Sequence, residues 1–186
     1  KRKEAEARAA FDANEEKVRE QAAPFTDRQL KVFEGIRSRL KSMGLSDIRL
    51  RGTQGFIDDQ AEGAYNSVYK MISVSLGTYD PSLSDADYLK KVSEVIDHEA
   101  IHALRDLGVM TKDEFRTLSN AASKIKYEKA TADGGTQRRK YTYLDRAKAL
   151  NPELNADELK EEAVAEMYRD YVAGRLRLAG RPRSIM

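Results

Sequence analysis

His98-Glu99-Ala100-Ile101-His102 is the stretch from which the rest of this 186-residue chain is read. On an α-helix, residues i and i+4 stack on one face, so both imidazoles can reach a single metal ion. The glutamate beside the first histidine then lies near a water on that ion, where its carboxylate can serve as general base. The chain has two histidines, and both fall in this stretch.

The flanking residues predict that the stretch is helical. Ser84 and Asp87 have the spacing of a capping box, with Leu83 and Tyr88 as its hydrophobic staple. No Pro or Gly interrupts until Gly108, a natural C-terminal stop. At about 100° per residue, Val95, His98 and His102 share one face, and Leu89, Ile96, Ala100, Ala103, Leu104 and Leu107 cover the opposite one. The apolar back is expected to be core, with the histidines pointing away from it.

A catalytic zinc usually takes three protein ligands and leaves one position for water. With no cysteine and no further histidine, the third donor must be a carboxylate. Glu161-Glu162-Ala163-Val164-Ala165-Glu166 offers one on a second predicted helix. Glu162 and Glu166 are again i and i+4. One can bind metal while the other accepts a hydrogen bond from the free ring N–H of a ligating histidine. Glu161 and Glu158 are the fallback donors.

His98 to His102 followed by Glu-Ala-Val-Ala-Glu resembles the gluzincin branch of the zincin metallopeptidases. The resemblance implies zinc held by His98, His102 and Glu162, with Glu99 as general base and Glu166 as the acid behind a histidine. It implies a peptide or protein substrate. Two departures stand out. Glu166 takes the place of the family's aspartate, and Glu162 follows His102 by 60 residues, more than in thermolysin-like enzymes. The histidine with which those enzymes stabilise the transition state has no counterpart here. Tyr127, Tyr141, Tyr143 or an arginine is left for that role. The wording around Leu107-Gly108-Val109-Met110-Thr111 also resembles zincin domains within large polyvalent proteins of phages and mobile elements. The chain is thus expected to be tethered to other domains of a longer phage or bacterial polypeptide.

Composition limits the alternatives. Charged residues make up 34% and hydrophobic residues 40% of the chain, which fits one helix-rich domain. A net charge of +2 is too balanced to argue for nucleic acid. Without cysteine there is no disulfide framework, and a cytoplasmic location is the expectation. No apolar run approaches the roughly 20 residues of a membrane span.

Residues 1–23 alternate charge with alanine and read as a charged helical arm or linker; 24–186 read as the zincin-like domain. Within it, Thr26 with Gln29 caps a helix running to Gly44, and Ile48 to Arg51 alternates as a strand should. Gly55 to Gly63 reads as a loop. Tyr65 to Leu76 reads as a strand or hairpin-like pair whose last strand forms the sheet edge above the cleft. Thr111 with Glu114 caps a helix expected to reach about Tyr127. Arg138-Arg139-Lys140 beside Tyr141 reads as a solvated loop edge, and Asn155 with Glu158 caps the last helix. The expected fold is α+β, a mostly helical zincin-like domain with a small sheet beside the H-E-x-x-H helix. Two competing readings remain: a helical interaction module with a degenerate or structural metal site, and a nucleic-acid-associated domain.

Overall fold

The computed structural model describes residues 24–57, 61–130 and 136–186, with the backbone alone at 128–130 and 136–140. The charged arm assigned to residues 1–23 lies outside them.

The chain runs α1 (Asp27–Ser42), β1 (Arg49–Thr53), β2 (Gly63–Asn66), β3 (Met71–Ser75), α2 (Asp85–Asp106) and α3 (Lys112–Ala122). It continues through β4 (Lys126–Ala130), β5 (Thr136–Thr142), α4 (Tyr143–Leu150), α5 (Ala156–Val172) and α6 (Gly180–Ile185). The architecture is α+β and mostly helical. Among the described residues no helix is long and apolar enough to cross a membrane.

Helix starts follow the capping chemistry. Thr26–Gln29, Thr111–Glu114 and Asn155–Glu158 each form the reciprocal box. Ser84 forms half of one: its hydroxyl accepts from the Asp87 N–H at 3.1 Å and donates to the Asp87 carboxylate at 2.6 Å. Gly108, with φ at +70°, takes the left-handed position just after α2.

The three-stranded sheet has the order β1-β3-β2, with β1 parallel and β2 antiparallel to β3. Every residue of β3 is buried, as expected of a strand with neighbours on both sides. The sheet edge beside the cleft is therefore β2, where the sequence reading put the strand ending at Leu76. Gly63, read as loop, opens β2. The turn into β3 is set by Asn66, whose side-chain oxygen accepts from the N–H groups of Val68 and Tyr69 at 3.0 and 3.1 Å.

α2 divides the interior into two cores. Val92, Ile96, Ala100 and Ala103 pack with Val32, Ile36 and Leu40 of α1 and Ile72 and Val74 of β3. Ile101 points into a second core with Leu118, Ala147, Ala163, Val164 and Met167. Each large aliphatic side chain buried this way contributes roughly 1.5–3 kcal/mol. Leu89 and Leu107, assigned from periodicity to the buried face, are 41% and 40% exposed; near the start of the helix the core takes Tyr88 in place of Leu89.

Two further expectations, for the reach of the third helix and for the basic cluster, are corrected. The third helix stops at Ala122, and Lys126–Ala130 pairs antiparallel with Thr136–Thr142. The basic cluster at 138–140 thus lies in a strand, followed by a short helix, α4, that Thr142 and Asp145 cap. The last long helix ends at Val172, and Leu178 is buried from the segment beyond it.

Candidate metal centre

Three elements meet over the cleft-facing stripe of α2. Gly63, Ala64 and Tyr65 of β2 form one wall of a cleft of about 820 Å³, and Asn151, Glu161 and Glu162 line the other. His98, Glu99, His102, Arg105 and Asp106 supply its floor. Successive turns of a straight helix repeat every 3.6 residues, so one stripe can carry all these side chains while the rest of the helix is core.

His98 and His102 face Glu162. His98 Nε2 lies 3.3 Å from Glu162 Oε2, and His102 Nε2 lies 3.4 Å from Glu162 Oε1. One donor atom from each of the three residues falls within 4.8 Å of the others. Zinc bonds of about 2.0–2.1 Å to nitrogen and oxygen give a tetrahedron with edges of about 3.3–3.4 Å. The two ring–carboxylate separations have that size but run to different oxygens of Glu162, and the three residues together are a donor set that could hold a metal ion. The structure thus brings His98, His102 and Glu162 together, with Glu99 on the same cleft floor.

Each imidazole also meets a second glutamate through Nδ1. His102 Nδ1 is 2.8 Å from Glu161 Oε1, while the other oxygen of Glu161 pairs with Arg105. His98 Nδ1 is 3.5 Å from Glu166 Oε1, a long approach that leaves this buried nitrogen without a hydrogen bond. Glu161, read as a fallback ligand, instead holds the back of His102. With Nδ1–H donating to it, Nε2 is left free as the metal-binding atom. Three acids within one six-residue run therefore share the two rings, Glu162 at both Nε2 atoms, Glu161 at Nδ1 of His102 and Glu166 near Nδ1 of His98. The signal was present as Glu161-Glu162, but which acid faces which ring depends on the rotation of α5 against α2.

The electrostatics follow from this crowding. Burial pulls the pKa of His102 down, but the Glu161 hydrogen bond and the charges of Glu99, Glu162 and Glu161 outweigh it, and the net shift is upward. Burial pushes Glu162 up, but the His98 hydrogen bond and both rings bring it below the usual carboxylate range. Without metal the rings and Glu162 thus bind one another; a divalent cation would take the place of the proton between them.

Glu99 is 8% exposed and is held by β2. A Cβ on Gly63 would sit 2.3 Å from Val95 Cγ1 and 3.1 Å from Glu99 Cγ and Oε1. Only glycine lets the strand approach the general-base candidate so closely.

The tyrosines read as transition-state donors lie away from the cleft. Tyr143 is buried and donates to Asp170 at 2.9 Å. Tyr127 lies under the Arg146 guanidinium, 4.6 Å from ring centroid to charge, and Tyr141 is 63% exposed. The cleft itself holds Tyr65 and Arg105. Tyr65 donates to Asp106, which also takes Lys70 Nζ at 2.5 Å. Sequence periodicity missed Tyr65 because the position of β2 depends on its pairing with β3.

No protein-family model matches the chain, and neither does any curated protein or solved structure.

Proposed function

We propose that this domain hydrolyses peptide bonds with a zinc ion held by His98, His102 and Glu162. The observation that carries the reading is the convergence of both Nε2 atoms on one carboxylate at 3.3 and 3.4 Å. A buried glutamate that is not a ligand, Glu99, lies on the same cleft floor. Two imidazoles and a carboxylate are a donor set suited to zinc, with a fourth position left open.

When bound, zinc supplies Lewis acidity to the substrate carbonyl and lowers the pKa of water toward neutrality. The rest is the work of the chain. Glu99 takes the proton from the attacking water and passes it to the leaving amine, a role in which a positioned acid–base group contributes about 10²–10⁴-fold. Glu161 holds His102 in the tautomer that presents Nε2 to the cleft. Arg105, the cationic donor in the cleft, and Tyr65, once its O–H is released from Asp106, are the groups within it suited to a developing oxyanion. The outer edge of β2 can take an extended peptide as a further strand. Attachment to a larger phage or bacterial protein, and action in the cytoplasm, belong to the same proposal.

The test combines metal analysis with proteolysis. The wild-type chain is expected to carry one zinc, and His102→Ala to carry none. Glu99→Gln should keep the zinc and lose hydrolysis of a denatured protein substrate. A zinc-loaded wild type that cleaves no peptide would favour a structural metal site, and full activity in Glu99→Gln would remove the general-base assignment.

A further inference from the structure

Arg146 belongs to α4, which lies in the stretch between His102 and Glu162. Its guanidinium forms an ion pair with Glu166 Oε2 through Nη1, without hydrogen-bond geometry, and Arg169 Nη2 donates to the same oxygen at 2.6 Å. Both cations are thus on one oxygen of the carboxylate. The other oxygen, Oε1, is the one turned toward His98 Nδ1 at 3.5 Å. The Tyr127 ring beneath Arg146 restricts the guanidinium to this position. Glu166 is 91% buried by residue, and its Oε1 faces His98 Nδ1 without reaching hydrogen-bond geometry, so small shifts of the carboxylate decide whether that bond closes.

From this geometry we propose that Arg146 is a positioning residue for the metal centre: by holding Glu166 Oε2 it aims Oε1 at His98 and fixes the ring with Nε2 toward the ion. The inference rests on the zinc reading above and extends it to a segment outside both ligand-bearing helices. His102 shows the closed form of such an arrangement, with Nδ1 2.8 Å from its acid. Its acceptor Glu161 is clamped by Arg105, one turn along the same helix. His98 has no such local arginine and takes its clamp from α4 and α5. The stretch between the two ligand-bearing helices therefore supplies a part of the site.

The test measures zinc affinity by competition with a chromophoric chelator, and visible absorption of the cobalt-substituted protein, with no substrate in either assay. Arg146→Met keeps an unbranched side chain over Tyr127 and removes the charge. It is expected to weaken zinc 10–100-fold, the usual loss when a partner behind a ligand is removed, and to alter the cobalt spectrum. Arg146→Lys, which keeps the charge without the fork, should fall between it and wild type, and it carries the test if Arg146→Met does not fold. Since Arg146 acts through Glu166, the double variant Arg146→Met/Glu166→Gln should bind zinc no more weakly than Glu166→Gln alone. Wild-type affinity and spectrum in both Arg146 variants, or additive losses in the double variant, would overturn the proposal while leaving the zinc site intact. A wild-type chain that takes up no zinc would instead overturn the underlying reading.

Discussion

Gly63 and Glu99 show how a single methyl group would change the site. The Cβ that alanine brings would lie 2.3 Å from Val95 Cγ1, which forces strand or helix side chain to give way. Glu99, 3.1 Å from the same atom, would move with them. Catalysis is more sensitive to such a shift than metal binding, since a misplacement of about 1 Å can cost on the order of 100-fold in rate. Gly63→Ala is therefore expected to keep one zinc per chain and lose about 10–100-fold in kcat/KM. Loss of zinc in step with activity would show that the strand supports the ligands rather than the base. The titration of the pair His102 and Glu162 gives a second expectation at this scale. His102 is raised in the metal-free fold, so its contribution is complete below its unfolded pKa of about 6.5 and is lost as pH rises through the folded value. Glu162 is lowered, so its contribution is present above its unfolded pKa and is lost as pH falls through the folded one. The metal-free protein should then draw most stability from this pair between about pH 4.5 and 6.5. Urea titrations at pH 6 and 8 should show that this increment is absent from His102→Ala. An equal pH dependence in wild type and His102→Ala would remove it.

At the level of elements, α2 is oriented by ion pairs on the sides its apolar faces leave open. Arg39 of α1 makes a two-pronged pair with Asp97, at 2.6 and 2.8 Å, beside the first histidine. Arg175 joins Glu94 of α2 to Asp170 of α5, at 2.8 and 2.9 Å. These pairs set the rotation of α2 against its neighbours, which decides whether His98 faces Glu162. Asp97 is buried, so removing its partner leaves a charge without compensation. Arg39→Met is expected to destabilise by about 2–3 kcal/mol, the lower end for buried pairs because Arg39 keeps some contact with water. The double variant Arg39→Met/Asp97→Leu should recover most of that loss in chemical denaturation. If Arg39→Met alone costs nothing, the pair does not orient the helix. The elements also divide by how legible they were. α2 and α5 could be read because their caps, stops and apolar spacing lie within each segment. β4 could not: Lys, Glu and Ala in Lys126–Ala130 favour helix in isolation, and only pairing with β5 makes the segment a strand. β2 is four residues long and is defined by its place beside β3.

The whole molecule carries its candidate metal centre between two cores rather than in place of one. The sheet and α1 pack on one side of α2, and α3, α4 and α5 pack on the other. The three ligands come from α2 and α5 alone, so the apolar contacts between these helices already bring the donors close before any ion arrives. The H-E-x-x-H pattern and the downstream acids were legible for that reason: each is a local pattern on a helix. Glu161 behind His102 and Arg146 behind Glu166 were not, because they depend on how separate helices dock. A fold that closes without metal should be stabilised by zinc, not created by it. With free zinc at about 100 times its dissociation constant, binding adds about 2.7 kcal/mol, which for a chain of this size raises Tm by about 5–10 °C. Circular dichroism of the chelator-treated protein should still show a folded helical domain with a cooperative transition. Adding zinc should raise the transition in wild type and in Glu99→Gln, and leave His102→Ala where it was. A metal-free chain with no cooperative transition would mean that the ion organises the cores, and an equal rise in His102→Ala would mean that zinc acts elsewhere than between these three side chains.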